Sequence, residues 1–342
     1  MIVLHVEKMR KNKWIRTVGL ILLLTLICSG SVMAADVNGQ EEIVDTSDHI
    51  YSYAEMMEDI QQLGNKYPDL IQVSSVGTSL DNRIIFQIVL GNPNAPKAIY
   101  VQSSIHAREW MNTWIMMKSL EMNLKNWNDM LPNGETYGQI FEDCCIYLLP
   151  MVNPDGVTIS QYGFEGIQNE ALRNYGLSLK GASNPKRWKA NARGVDLNRQ
   201  FSVGWNSNIT ELMPCSDTYN GEAPFTEPEA IAVKNALEQR EFVAAITYHT
   251  MEGAIYWNLG QQGDLLVRSQ ILANHCQTIS GYRLDPGPSD LKGLEYNYMI
   301  WEKGIPTVCI ETGRKFSPLP YSEWAEVWQE NSMMMVAVAA LY

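Results

Sequence analysis

The feature that most constrains this chain is the regular alternation of short apolar runs with longer segments patterned for helix. Residues 97–105, 146–152, 242–250 and 307–310 each hold a mainly apolar core of strand length, which is how strands buried on both faces read in sequence. Around them, residues 53–67, 109–127, 265–280 and 322–341 read as helices. Thr226-Glu227-Pro228-Glu229 has the form of a capping box, with Thr at the N-cap and Glu at N3, opening a helix to Arg240. Residues 71–76 and 83–90 are strands joined through the turn-forming Asp81-Asn82, and 254–259 is a further strand. Strands and helices in this order specify an α/β fold: a single domain whose central, mostly parallel mixed β-sheet carries helices on both faces. Ligands of such sheets sit outside the carboxyl ends of the strands. His106, Asn153, His249 and Glu311 all stand at or just past the end of an apolar run.

The first residues belong to a different class. Lys8, Arg10, Lys11, Lys13 and Arg16 precede an apolar stretch at 18–28, and Val32-Met33-Ala34 has the small residues of a cleavage site. Residues 1–34 are therefore expected to be a signal peptide, too short in its apolar part for a membrane span. A retained anchor is the alternative. After cleavage near Ala35 no stable membrane insertion is expected, and the protein should be secreted. Residues 35–50, acidic and polar, are expected to form a flexible arm, leaving 51–342 as one domain. The formal net charge is −12, and the leader is basic, so the remainder is more acidic still. That disfavours nucleic acid and anionic surfaces as partners. A monomer is expected.

Of the six cysteines, Cys28 falls in the leader, which leaves an odd number whose spacing fits no structural zinc pattern. Cys144 and Cys309 lie in apolar strand-like runs and read as buried thiols.

Chemistry enters at His106-Ala107-Arg108-Glu109-Trp110. A His and a Glu three apart share one face of a helical turn, so a ring nitrogen and a carboxylate oxygen can reach one metal ion together. Zn²⁺ takes those ligand types, and catalytic zinc sites use three protein ligands plus an open position. Taken alone the pair is a weak signal, since a helix start with a surface Glu looks the same. A third ligand must come from elsewhere. His5 lies in the leader, His49 in the arm, and His275 inside a helix where a partly exposed structural role is expected. His249, ending the run at 242–248, is the remaining candidate, although a lone strand histidine is more often a satisfied core residue. Glu311 closes another buried strand, where a carboxylate is costly unless paired or functional. It is the candidate general base.

With these residues placed, the chain resembles the zinc carboxypeptidase family, to which the pancreatic carboxypeptidases belong, across almost all of residues 51–342. The motifs that carry the resemblance are Tyr53-Ala54-Glu55-Met56-Met57, Lys66-Tyr67-Pro68, Val76-Gly77-Thr78-Ser79, His106-Ala107-Arg108-Glu109-Trp110 and Asn153-Pro154-Asp155-Gly156. Gly194-Val195-Asp196-Leu197-Asn198-Arg199, Thr226-Glu227-Pro228-Glu229, His249 and Glu311 follow in the same order. The resemblance implies one Zn²⁺ per chain on His106, Glu109 and His249, with Glu311 as the catalytic glutamate. It implies that Asn198 and Arg199 grip a substrate's carboxylate, and that Arg108 lines the cleft beside the metal.

The chain also departs from the family pattern. Where the family has an arginine that stabilises the oxyanion, this chain has Lys189, which keeps the charge and loses the forked donor; Arg187 or Arg193 are the alternatives. No tyrosine stands at 285–292, where the family's mobile tyrosine is expected, and side-chain preference cannot be read there. The stretch at 188–201 and Ile255-Tyr256-Trp257 resemble a bacterial branch that cleaves γ-D-glutamyl bonds to diaminopimelate in cell-wall peptides. Wall-binding repeats are not found in the sequence. Three activities stay open: a metallocarboxypeptidase cutting next to a C-terminal carboxylate, a muropeptide hydrolase, and a zinc amidohydrolase acting on non-peptide amides. A pseudoenzyme would typically have lost a ligand or the base, and none is missing.

Overall fold

The computed structural model describes residues 42–207, 209–287 and 292–342. The expected signal peptide and the first part of the arm lie outside them. Helix α1 (Tyr53–Lys66) starts where Ser52 and Glu55 stand three apart. The Ser52 hydroxyl accepts from the Glu55 amide, and the Glu55 carboxylate accepts from the Ser52 amide, satisfying two donors that a helix start leaves open. Its stripe of Met56, Ile60 and Leu63 is buried.

The chain continues through β1 (Ile71–Thr78), β2 (Ile84–Leu90), β3 (Lys97–Ser103), α2 (Met111–Lys125), α3 (Tyr137–Asp143), β4 (Cys144–Leu149), α4 (Pro154–Tyr162) and α5 (Glu170–Leu177). Beyond a long loop come α6 (Pro228–Leu237), β5 (Ala244–Thr250), β6 (Ala254–Tyr256), α7 (Gly263–Ser280) and β7 (Arg283–Asp285). The last elements are α8 (Glu295–Trp301), β8 (Thr307–Thr312), α9 (Trp324–Asn331) and α10 (Met334–Leu341).

The strands form one 8-stranded sheet in the order β1-β2-β4-β3-β5-β8-β6-β7. Its centre, β4-β3-β5-β8, is parallel throughout; β1, β2 and β6 add antiparallel pairings. Alternation along the central strands splits the core between two faces. Ile99, Val101, Ile246 and Val308 pack with α2, α7, α9 and α10, through residues such as Trp114, Leu272, Trp324 and Met335. Ala98, Tyr100, Cys145 and Ala245 pack with α6 and α8 through Val233, Ala236 and Met299. The expected architecture, a mostly parallel sheet between helical layers, is the one formed.

Several local expectations are corrected. The closing helix is broken into α9 and α10, and the strand at 254–259 ends at Tyr256. Thr226 is not an N-cap: α6 begins at Pro228 with Glu227 in the cap position and no side-chain cap. The Gln200 side-chain oxygen instead accepts from the Thr226 and Glu227 amides, so a long-range partner replaces the local one. Glu229, freed of a capping role, points inward and is fully buried. His275 is buried rather than partly exposed, with Nε2 donating to the Ala337 carbonyl at 2.8 Å. The described end of the arm is held down as well. Glu121 accepts from the amides of Ile43 and Val44, Trp114 Nε1 donates to the Asp45 carbonyl, and Val44 is fully buried. The cysteines among the described residues are free and buried.

Candidate metal centre and catalytic cleft

Four strand ends assemble the site. At the end of β3, Ser104 takes a left-handed conformation (φ 54°) that turns the chain into a short 3-10 segment, Ala107–Glu109. Its hydroxyl holds that turn, at 3.2 Å from the Glu109 carbonyl and 2.7 Å from Thr113 Oγ1. Such a conformation is uncommon for a residue with a Cβ and recurs at functional sites. Asn153, just past β4, staples the neighbouring loops by donating to the carbonyls of Ile105 and Ala190, while its oxygen accepts from the Gly156 amide. β5 and β8 deliver His249 and Glu311 side by side as register partners.

His106, Glu109 and His249 converge with their potential ligand atoms all within 4.8 Å of one another. His106 Nδ1 lies 3.0 Å from Glu109 Oε1, and His249 Nδ1 lies 3.0 Å from both His106 Nδ1 and Glu109 Oε2. All three residues are buried.

Two further carboxylates, to which sequence reasoning gave no role, stand behind the histidines. Glu295, at the start of α8, is 2.7 Å from His249 Nε2. Asp196 is 3.4 Å from His106 Nε2. A carboxylate behind a ring nitrogen fixes the proton there and aims the other nitrogen's lone pair at a metal. Two Nδ1 lone pairs and a carboxylate facing one point repel each other unless a cation lies between them, so the donor set fits zinc. Burial opposes a positive charge on His249, but Glu295 and Glu109 outweigh it and raise its pKa well above the ordinary value. Burial likewise opposes ionisation of Glu109, and the two histidines overcome it and lower its pKa.

A cleft of about 310 Å³ opens onto this centre, and Glu311, Lys189, Arg108, Arg187, Thr250, Met251, Glu252, Phe316 and Ser317 line it with the three ligands. Burial pushes the Glu311 carboxyl up to about 7; His249 works against that rise and Glu109 adds to it. Lys189 Nζ stands 3.1 Å from Asp196 and 3.1 Å from Asp217. Burial disfavours its charge, but these two aspartates more than compensate and raise its pKa, so it is a fixed cation. Arg108 donates through Nη1 to the Arg187 carbonyl at 3.1 Å and approaches Asp217 at 3.7 Å. Arg193, one alternative to Lys189, is instead paired with Glu227 at 2.7 Å and is not among the residues lining the cleft.

Asn198 and Arg199 occupy the 3-10 turn after Asp196 and are not among the cleft's lining residues. Asn198 Oδ1 accepts from the Glu295 amide at 2.9 Å, which ties this turn to the carboxylate behind His249. Arg199 is half-buried, and its Nη1 donates to the Asn198 carbonyl. Its charge reaches Asp196, whose carboxyl is pushed up by burial yet held well below the ordinary range by Lys189, His106 and Arg199. Of the stretch 285–292 where the family's mobile tyrosine is expected, residues 288–291 lie outside the described residues.

Residues 56–300 match the zinc carboxypeptidase family. The chain is 33% identical over 310 residues to gamma-D-glutamyl-L-diamino acid endopeptidase 1 of Lysinibacillus sphaericus, covering 90% of this chain and 74% of that protein. It is 26% identical over 220 residues to mast cell carboxypeptidase A of Homo sapiens, covering 62% of this chain and 48% of that one. The fold is similar to that of bovine thrombin-activatable fibrinolysis inhibitor, solved in complex with a tick carboxypeptidase inhibitor. The TM-score is 0.66 at 19% identity, covering 86% of this chain and 96% of that one. A buried His–Glu–His cluster built for zinc, at the strand ends of a carboxypeptidase fold, coincides with the matched segment; the chain belongs to the zinc carboxypeptidase family and is a zinc metallopeptidase.

Proposed function

We propose that this protein hydrolyses the amide bond between a γ-D-glutamyl residue and a diamino acid whose own carboxylate is free. The hydrolytic part rests on one observation: Glu311, the register partner of His249, opens onto the same cleft as His106, Glu109 and His249. The substrate class is supported by the 33% identity, over 90% of the chain, to an endopeptidase whose name specifies that bond.

His106, Glu109 and His249 would hold zinc, which when bound would supply a Lewis acid able to lower the pKa of a water and polarise a carbonyl. Glu311 takes a proton from the attacking water and passes it to the leaving amine. Glu311 suits that task by position, since it lines the cleft beside the three ligands and burial favours its taking up a proton. Lys189, kept charged by Asp196 and Asp217, faces the charge that develops on the carbonyl oxygen. Arg199 and Asn198 bind the free carboxylate of the amine half by charge-assisted hydrogen bonds. That anchor decides which bond lies over the metal.

A carboxypeptidase acting on ordinary peptides is the second reading, favoured by the retained Asn198-Arg199 pair and the similarity to mast cell carboxypeptidase A. The zinc-loaded protein should release diaminopimelate from L-Ala-γ-D-Glu-diaminopimelate faster than it releases C-terminal residues from α-linked L-peptides. Reversal of that order would make it a carboxypeptidase. We also propose that residues 1–34 direct export. N-terminal sequencing of protein recovered outside the cell should begin near Ala35, and an intact Met1 on that fraction would refute removal of the leader.

A further inference from the structure

The cleft carries more positive charge than the reaction described above employs. Arg108, Arg187 and Lys189 all line it. Lys189 is satisfied by two aspartates, and one of them, Asp217, is shared with Arg108. Arg108 Nε is enclosed without any hydrogen-bond partner. Arg187 is exposed and takes part in no ion pair among the described residues. Its backbone, however, is fixed: its amide donates to the Asn184 carbonyl, its carbonyl accepts from Arg108, and the next residue, Trp188, is fully buried. An exposed guanidinium without an ion-pair partner, on the wall of a cleft that Arg108 and Lys189 also line, is an arrangement that favours an anion.

A γ-linked glutamyl residue supplies that anion. Its α-carboxylate stays free, a few bonds from the scissile γ-carbonyl, whereas an α-linked residue has no carboxylate at that place on the backbone. In the reading above the acyl half occupies the cleft beside the metal ligands, and Arg108 and Arg187 line that cleft. We propose that Arg187, on the cleft wall it shares with Arg108, forms a second carboxylate subsite that binds the free α-carboxylate of the γ-D-glutamyl half and so selects the γ-linkage. This inference rests on the γ-glutamyl reading above.

The test compares two peptides on the zinc-loaded full chain: L-Ala-γ-D-Glu-diaminopimelate, and the same peptide with the glutamyl α-carboxylate converted to its amide. Wild-type kcat/KM should favour the free acid by about ten- to a hundredfold, the range for one hydrogen-bonded charge contact. In Arg187→Ala the ratio should fall towards one, and Arg187→Lys should restore part of it, because the charge returns without the fork. Zinc content and circular dichroism establish that the variants are folded. Inhibition by the product L-Ala-D-Glu should weaken in parallel. Equal cleavage of the two peptides by wild type, or a preference that survives in Arg187→Ala, overturns the subsite while leaving the γ-glutamyl reading standing. Cleavage of neither peptide by wild type overturns that reading and the subsite with it.

Discussion

His249 and Glu311 are register partners on the adjacent parallel strands β5 and β8. Neighbouring strand ends therefore present a metal ligand and a general base to one cleft, their spacing set by the backbone hydrogen bonds of the sheet rather than by a mobile loop. Sites held on regular elements stay within the narrow geometry that catalysis needs.

The division of labour between these two residues can be separated by substitution. Glu311→Gln keeps the shape and removes the base, so zinc content should stay at one per chain while turnover falls by at least about a hundredfold. Metal analysis and single-turnover rates measure the two effects independently. Near-normal turnover in this variant would assign the proton transfer to another group.

Glu295 is expected to control zinc affinity without touching the metal. It stands 2.7 Å from His249 Nε2, and Asn198 fixes its backbone amide. Glu295→Gln retains an acceptor but loses the charge, and should weaken zinc binding by about tenfold or more, the usual effect of removing such a partner. Competition against a chelator of known affinity reads this directly. Unchanged affinity would mean that His249 is oriented by the strand alone.

Arg199 should act on substrate affinity. Arg199→Ala is expected to raise KM sharply for substrates with a free carboxylate on the leaving half. Amidating that carboxylate should mimic the mutation in the wild type. Both changes remove one interaction, so combining them should add little. If wild type cleaves the amidated and free-acid substrates equally well, the anchor is not used.

Glu229 makes stability depend on pH in a direction opposite to that of a paired carboxylate. Burial, with Asp155 and Glu227 nearby, pushes its folded pKa from the ordinary 4.5 up to about 8. Between those values the folded state holds a proton that the unfolded state has released, so stability falls as pH rises from about 5 to 8. Glu229→Gln removes this contribution. Denaturant melts at pH 5 and pH 8.5 should show a smaller loss of stability in the variant than in the wild type. The same slope in both proteins would place the proton elsewhere.

Much of the centre was legible in the sequence, for a physical reason. Buried strands must be apolar, so a His or Glu closing such a run is conspicuous, and His106, His249 and Glu311 were marked that way. The spacing of His106 and Glu109 put both on one turn before any tertiary contact was known. Alternation of strand and helix likewise implied a parallel centre with two covered faces, because the chain has no other way to bury strands that are apolar on both sides.

Other features depended on contacts far apart in sequence. Thr226 and Glu229 carried the local signal of a capping box, but Gln200 took the amides, and Glu229 was left to point into the core. Glu295 opens an unremarkable stretch, and only the packing of α8 beneath the strand ends brings it to His249. Asp196 lies inside a motif that drew attention for Asn198 and Arg199, yet the fold sets it against both His106 and Lys189. By itself, the sequence determined the strand ends and the residue types placed there, since hydrophobic periodicity and ligand chemistry are local properties. Which charges stand behind those residues was decided by the tertiary structure, because an electrostatic partner is chosen by distance in space, and strand order and loop packing set that distance.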